Sequence, residues 1–377
     1  MKLAIKPVDR TDEAPPETGA FPPLMPVRQS HAQMTFKILH EFPTATLEYR
    51  WRELLKDVKT PSHYTSPEYF REPYFEGKRP FAILALVGDA VVAVLTGVHE
   101  GNAVTCGLST RPQIQLHPEF DAVAVLGTLA RGLESESIGA ELVSVYSWNW
   151  LSLDPMLRHH YRSRALMGNP VLDLRVGADA LLKRCDGKRR NCIRYAIKHG
   201  VEVSAAESPE EYDAFYKIYA SWCEAKKIPC YPSAVEDLAF RTTRLNRRLF
   251  VARHSGKIIA GSVFRFYPGG LIEYSRNSSL PEFQSLKPND LLVWKAIEWA
   301  CEKGFTRLSM GGSHRFLREF GGTMVPIIRY RWDRTLLRRH DRREDLVEAG
   351  RRCMSKLPPV WERKVRELIG KQLPAGW

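Results

Sequence analysis

Short apolar runs separated by turn residues fill the second half of the chain, and one longer stretch there has a helical stripe. Residues 248–254 predict a strand, and Ser255-Gly256 a tight turn. Residues 258–267 predict a second strand, closed by Pro268-Gly269-Gly270, and residues 271–277 a third. The spacing changes over 289–303 to that of an apolar-striped helix, stopped by Gly304. Residues 307–310 then predict a strand that enters Gly311-Gly312-Ser313.

The first half repeats this plan. Strands are predicted over 80–87, 90–99 and 103–108, with turns at Gly88-Asp89 and Glu100-Gly101-Asn102. Pro118-Glu119-Phe120 precedes a helix over 122–134 and a strand over 141–146, as Pro281-Glu282-Phe283 precedes the later helix. Order, turn positions and helix length agree over five elements, which indicates an internal duplication and paired domains. Each half also begins with helical sequence. In the second, Ser208-Pro209-Glu210-Glu211 has the residues of a capping box with proline at the first helical position. Tyr212, Phe215, Tyr216 and Tyr219 follow at the spacing of one buried helix face.

The expected organisation is therefore a disordered Pro-rich leader over 1–34, a first domain over 35–176, a second over 177–335 and a basic helical tail over 336–377. In the tail, Trp361, Val365, Leu368 and Ile369 form an amphipathic face that suits packing on the body or a peripheral membrane contact. The fold class is α/β (α+β), with a twisted, mostly antiparallel sheet flanked by helices in each domain.

Composition narrows the chemistry. The chain has 377 residues, 44% of them hydrophobic, enough for two cores. No apolar run approaches the roughly 18 residues that cross a bilayer, and no signal-peptide pattern is present, so a cytoplasmic location is expected. The seven cysteines are scattered without a C-x-x-C pair, and His159-His160 and His199 lack ligand spacing, so no metal is expected. The formal net charge of +13 creates a field that attracts phosphate groups, nucleic acid or an anionic surface.

Three stretches carry a family resemblance: the basic run from Lys188 to Val203, the segment from Glu273-Tyr274 through Leu286-Lys287-Pro288-Asn289-Asp290, and the closing loop from Leu308 to Gly322. In these the chain, from Gly187 to Trp332, resembles the FemAB-like branch of the GNAT superfamily, including the BioF2-like acetyltransferase domain. Residues from Phe36 to about Val176 are similar to that family's degenerate companion domain. The resemblance implies tandem GNAT-like domains, with the reaction centre in the second. It also implies N-acyl transfer, with acyl-CoA as co-substrate, to an amine acceptor such as a cell-envelope or polysaccharide precursor. Transfer of an amino acid from charged tRNA is the alternative, and a non-catalytic binding protein a further one; DNA is not an expected partner. Two positions depart from the family. Leu317 stands where it usually has Lys, and Ser309 where BioF2-like members often have Asp. Arg315 and Arg318 are the nearest cationic substitutes.

Acyl transfer to an amine needs a proton acceptor, donors for the oxyanion and a proton for the leaving group. Glu273, in mid-strand, is the candidate base. Tyr274 is the candidate donor, and His314, in the loop after the last strand, a candidate relay. Lys287, Asn289 and Asp290, at a helix start, are placed to hold a pyrophosphate. Arg190 and Arg194, one helical turn apart, together with Arg276, Arg315 and Arg318, are candidate phosphate or substrate ligands. The glycine-rich CoA motif of ordinary GNAT enzymes is absent.

Overall fold

A computed structural model describes residues 33–354 apart from 76, 109–110, 112, 149–150, 158–159 and 243–245. The leader up to residue 32 and the amphipathic face at 361–369 lie outside the described residues. The first half of the chain opens with β1 (Met34–Leu39) and α1 (Ala45–Asp57), followed by a connection with three 3-10 turns between His63 and Phe75. It continues through β2 (Arg79–Val87), β3 (Ala90–Glu100), β4 (Ala103–Cys106) and the short β5 (Ile114–Leu116). Helix α2 (Ala122–Glu136), β6 (Leu142–Trp148), α3 (Asp154–Leu157) and β7 (Arg162–Asp173) complete it.

The second half runs α4 (Ala178–Arg184), α5 (Gly187–Lys198), β8 (Val201–Ala205), α6 (Pro209–Lys226) and α7 (Ser233–Thr242). Then come β9 (Arg247–His254), β10 (Lys257–Phe266), β11 (Leu271–Ser279), α8 (Pro288–Glu302) and β12 (Arg307–Ser309). The short α9 (Arg315–Arg318), β13 (Thr323–Asp333) and α10 (Arg339–Met354) close the described chain. Local chemistry sets these bounds. Ser208 accepts from the Glu211 backbone while Glu211 reaches back, which starts α6 behind Pro209. Gly256, at φ +78°, makes the β9–β10 turn that a side chain would strain.

Among the described residues all the strands share one sheet, in the order β1-β2-β3-β4-β6-β13-β7-β12-β11-β10-β9-β8, with β5 paired to β3 beside this path. Neighbours are antiparallel except β4 with β6 and β11 with β12. Those two pairs are the ones bridged by a crossover helix, α2 and α8, because parallel strands cannot be joined by a tight turn. The element order repeats: β1, α1, β2, β3, β4, α2, β6, β7 answers to β8, α6, β9, β10, β11, α8, β12, β13.

The last strand of each repeat crosses over. β7, from the first half, pairs with β12 of the second, and β13 pairs with β6 of the first. β7 and β13 then pair with each other at the centre. A boundary at 176–177 in the sequence is thus not a boundary in space. In the second half α8 buries Leu291, Leu292, Val293 and Ile297 against one sheet face. The aromatic stripe of α6 covers the other, with Phe215 and Tyr219 buried. Helices α2 and α1 do the same in the first half. Each fully buried aliphatic side chain contributes about 1.5–3 kcal/mol. Among the described residues no helix is long and apolar enough to cross a membrane.

Candidate active site

β11 and β12 run together for three pairs, ending at Glu273 with Ser309, and then part. Val263 of β10 faces Arg276, and Phe264 faces Tyr274, so Ser275 is an extra, bulged residue just beyond the point of parting. A bulge leaves its backbone out of the ladder and re-aims the strand, which is why bulges recur beside active sites. On the other prong Gly311 (φ +69°) comes so close that a Cβ would lie 2.1 Å from the Tyr274 carbonyl oxygen.

This fork meets a cavity of about 500 Å3 between the two halves, with Tyr64, Tyr74, Arg111, Arg265, Ser275 and Arg276 in its wall. Arg111 donates to the Tyr64 hydroxyl at 2.7 Å, and its guanidinium lies 4.2 Å from the Tyr64 ring centroid. The same guanidinium is 3.7 Å from Glu273. Arg265 also donates to the Tyr64 hydroxyl, at 2.5 Å. Burial pushes the Tyr64 phenol up, against the opposing pull of Arg111 and Arg265, so it remains a hydroxyl at neutral pH.

Beneath this layer Glu72 is buried between the halves, accepting from Arg247 at 2.9 and 3.1 Å and lying 2.6 Å from His63. Burial acts to raise its carboxyl. Arg247, Arg265 and His63 outweigh burial and hold it well below the usual range. At the far wall Arg276 pairs with Glu236 at 2.5 Å, and Glu236 accepts from Tyr74 at 2.9 Å.

The equivalent fork of the first half is filled by its own chain. β4 and β6 last pair at Cys106 and Val145. Just beyond, the backbone of Gly107 donates to the Gln113 side chain, and Leu108 bridges Arg111. Gly107, Leu108 and Tyr146 of this fork border the same cavity from the opposite side to the bulge at Ser275.

At the start of α8, Asn289 donates to Ser279 at 3.2 Å. Its Oδ1 is buried without a hydrogen-bond partner, as are Asn277 Nδ2 and Ser278 Oγ near the end of β11. Such orphaned atoms suit a ligand arm that carries its own amide donors and acceptors. Among the described residues no group of three or more His, Cys, Asp or Glu side chains is arranged to hold a metal.

The residues singled out in the sequence fall into separate groups. Glu273 is buried at the fork rather than solvated. Tyr274 packs edge-on to Phe264 at 5.6 Å, and burial pushes its phenol up. Arg276 joins Glu273 near the cavity. Lys287 (φ 59°) precedes Pro288 at the N-cap of α8. Asp290, expected to face a cofactor, instead turns inward to Arg189 at 2.5 Å. Burial raises its carboxyl, and Arg189 opposes that. Arg190 is a further correction: it donates to the carbonyls of Lys183 (3.1 Å) and Cys185, capping α4 instead of offering a free phosphate ligand. Arg194 is exposed on α5.

His314 is exposed at the N-cap of α9, with no side-chain capping bond. Arg315, 81% exposed, pairs with Glu319, and Arg318 is exposed. Arg189 lies 2.9 Å from Glu319, so this loop is tied to the start of α8. Leu317 is buried in the second-half core. Ser309 accepts from Asn169 of β7 at 2.7 Å, and Asn169 accepts from the Gly312 backbone at 3.1 Å.

Sequence reasoning missed Tyr64, Glu72, Tyr74, Arg111 and Arg265. The available signal was the stretch Pro61 to Phe75, dense in Tyr, Phe and Pro, with Glu68 and Glu72 inside it.

Residues 185–319 match the acetyltransferase (GNAT) domain family. No curated protein sequence is matched. Among solved structures, FemX superposes with a TM-score of 0.62 at 12% identity, covering 79% of this chain and 97% of FemX. A tandem GNAT protein from the clavulanic acid biosynthesis pathway gives 0.52 at 11%, covering 81% and 99%. L-PGS from Bacillus licheniformis gives 0.52 at 13%, covering 79% and 93%. At these identities the likeness is one of fold, and the fold is that of tandem GNAT domains.

Proposed function

We propose, on the premise that residues 185–319 form a GNAT-type acetyltransferase domain within a tandem GNAT fold, that the protein transfers an acyl group from acyl-CoA to an amine presented through the inter-lobe cavity. The observation that carries this reading is the bulge at Ser275, set where β11 leaves β12 and opening on that cavity. The donor thioester lies on the α8 side of the fork, where Asn277 and Asn289 hold its amide-bearing arm and the N-terminus of α8 with Lys287 faces its phosphates.

Adjacent positions on a strand face opposite ways, so Glu273 and Tyr274 address the two sides of β11. Glu273, on the Arg111 side, takes the proton of the attacking amine. Tyr274, kept protonated by burial on the Phe264 side, returns a proton to the departing thiolate. The unladdered backbone at Ser275 supplies an N–H to the oxyanion between them. Leu317, buried and apolar, leaves no cation at the position that would serve transfer from charged tRNA.

Thermal melting with acetyl-CoA, longer acyl-CoAs and charged tRNA tests the donor. At a hundredfold excess over Kd a ligand adds about 2.7 kcal/mol, a rise of a few degrees in Tm. Acetyl-CoA or a longer homologue is expected to give that rise, and Asn289→Leu to abolish most of it. Stabilisation by charged tRNA alone would transfer the site to the aminoacyl reading.

A further inference from the structure

Helix α10 separates its charges by face. Asp345 pairs with Arg162 at 2.7 Å and Glu344 with Arg164 at 2.8 Å. Glu344 also takes Arg329 and Arg331, each at 2.6 Å, while Glu348 takes Arg164. The acidic side chains of the helix are thereby turned onto the basic strands β7 and β13. The opposite face carries Arg339, Arg342, Arg343 and Leu346, at the spacing of one helical stripe and exposed to solvent. Arg339 has an ion-pair partner in Glu141 at 2.9 Å but stays 64% exposed.

The turn leading into this helix is costly and apolar. Leu337 (φ 57°) and Arg338 (φ 51°) are consecutive left-handed residues without glycine, a conformation that persists where surrounding structure or function requires it. Leu336 at the turn is 87% exposed and Leu337 63%, and Leu346 on the outward stripe of α10 is 74% exposed. Arg334, just before the turn, donates to the carbonyls of Ser137 and Ala140, which brings Ile138, 80% exposed, to the same end of the molecule.

We infer that the outward face of α10 and the Leu336–Leu337 turn form a docking surface for an anionic lipid bilayer. Arginines flanking exposed leucines match such a surface in both respects: aliphatic side chains enter the acyl boundary while guanidinium groups meet lipid phosphates. RNA would use the arginines but leave the leucines in water, and no Phe, Tyr or Trp lies between 334 and 354 to stack on bases. The surface is separate from the inter-lobe cavity, so it stands whatever the enzyme's donor proves to be.

The test is co-sedimentation of the full chain with vesicles of phosphatidylcholine alone or mixed with phosphatidylglycerol. Binding is expected to the mixed vesicles only, and to fall as salt rises. The triple variant Leu336→Ser/Leu337→Ser/Leu346→Ser and the double variant Arg342→Glu/Arg343→Glu are each expected to weaken it by about tenfold or more. Melting curves verify that both variants are folded. Absence of binding to the mixed vesicles, or binding unchanged in both folded variants, overturns the inference. Tighter binding to RNA than to vesicles, untouched by the leucine changes, overturns it too.

Discussion

Arg247→Met is expected to cost the protein about 3–5 kcal/mol, read from urea or thermal unfolding at neutral pH. The Arg247 side chain is 1% exposed and donates to both carboxylate oxygens of Glu72 across the junction of the two halves, and to the Tyr74 hydroxyl at 3.1 Å. Methionine keeps much of the volume but leaves a buried carboxylate with only His63 and the more distant Arg265, 3.7 Å away. The pH dependence follows from sign. A carboxyl held below its ordinary value of 4.5 stabilises the fold fully above that value, and the contribution is lost as pH falls towards the folded-state value. The gap between Arg247→Met and the parent should therefore be widest at neutral pH and narrow below about 4.5. Adding Glu72→Gln should restore part of the loss, because it removes the uncompensated charge. A single variant as stable as the parent would mean that the junction does not depend on this pair.

Glu273→Gln is expected to lower kcat about 100-fold with the best acceptor from an amine panel, leaving KM for the acyl donor nearly unchanged. Glutamine occupies the same space beside Arg111 but cannot take a proton. The variant's rate should then climb with pH as free amine becomes available without assistance. Tyr274→Phe is the companion, since it preserves the packing on Phe264 and removes only the hydroxyl. Turnover within twofold of the parent in both variants, with donor binding intact, would leave the fork without its assigned acid and base.

The duplicated plan was readable because each hairpin is bounded by turn residues and each crossover helix by an apolar stripe: Gly88 and Gly256, Gly101 and Gly270, α2 and α8. The exchanged strands were not. β13 contains Pro326, which argues against a central strand because it cannot donate to the ladder. The register shifts between Val325 and Ile327, so the proline sits at an irregularity where no ladder bond is required of it. β7 contains Gly168-Asn169-Pro170 for a related reason: Asn169 is there to hold Ser309 and Gly312, not to pack.

The site shows the same limit. Glu273, Tyr274 and Arg276 could be reached by following one strand. Tyr64, Glu72 and Arg111 lie in the other half of the chain, and only the sheet brings them to the same cavity. Spacing along a helix also misled in one respect. Arg190 and Arg194 are one turn apart, yet Arg190 is consumed by the carbonyl ends of α4.

The crossing of β7 and β13 limits how the cavity between the halves can be entered. In a protein whose lobes hang on a linker, a substrate is admitted by swinging them apart. Here each lobe is hydrogen-bonded to a strand of the other half-chain, and such a swing would tear the middle of the sheet. Admission has to come from the segments at the rim, the 3-10 connection around Tyr64 and Tyr74 and the approach to α7 at Tyr231. Residues there, more than any hinge, would set the pace at which substrate enters and product leaves.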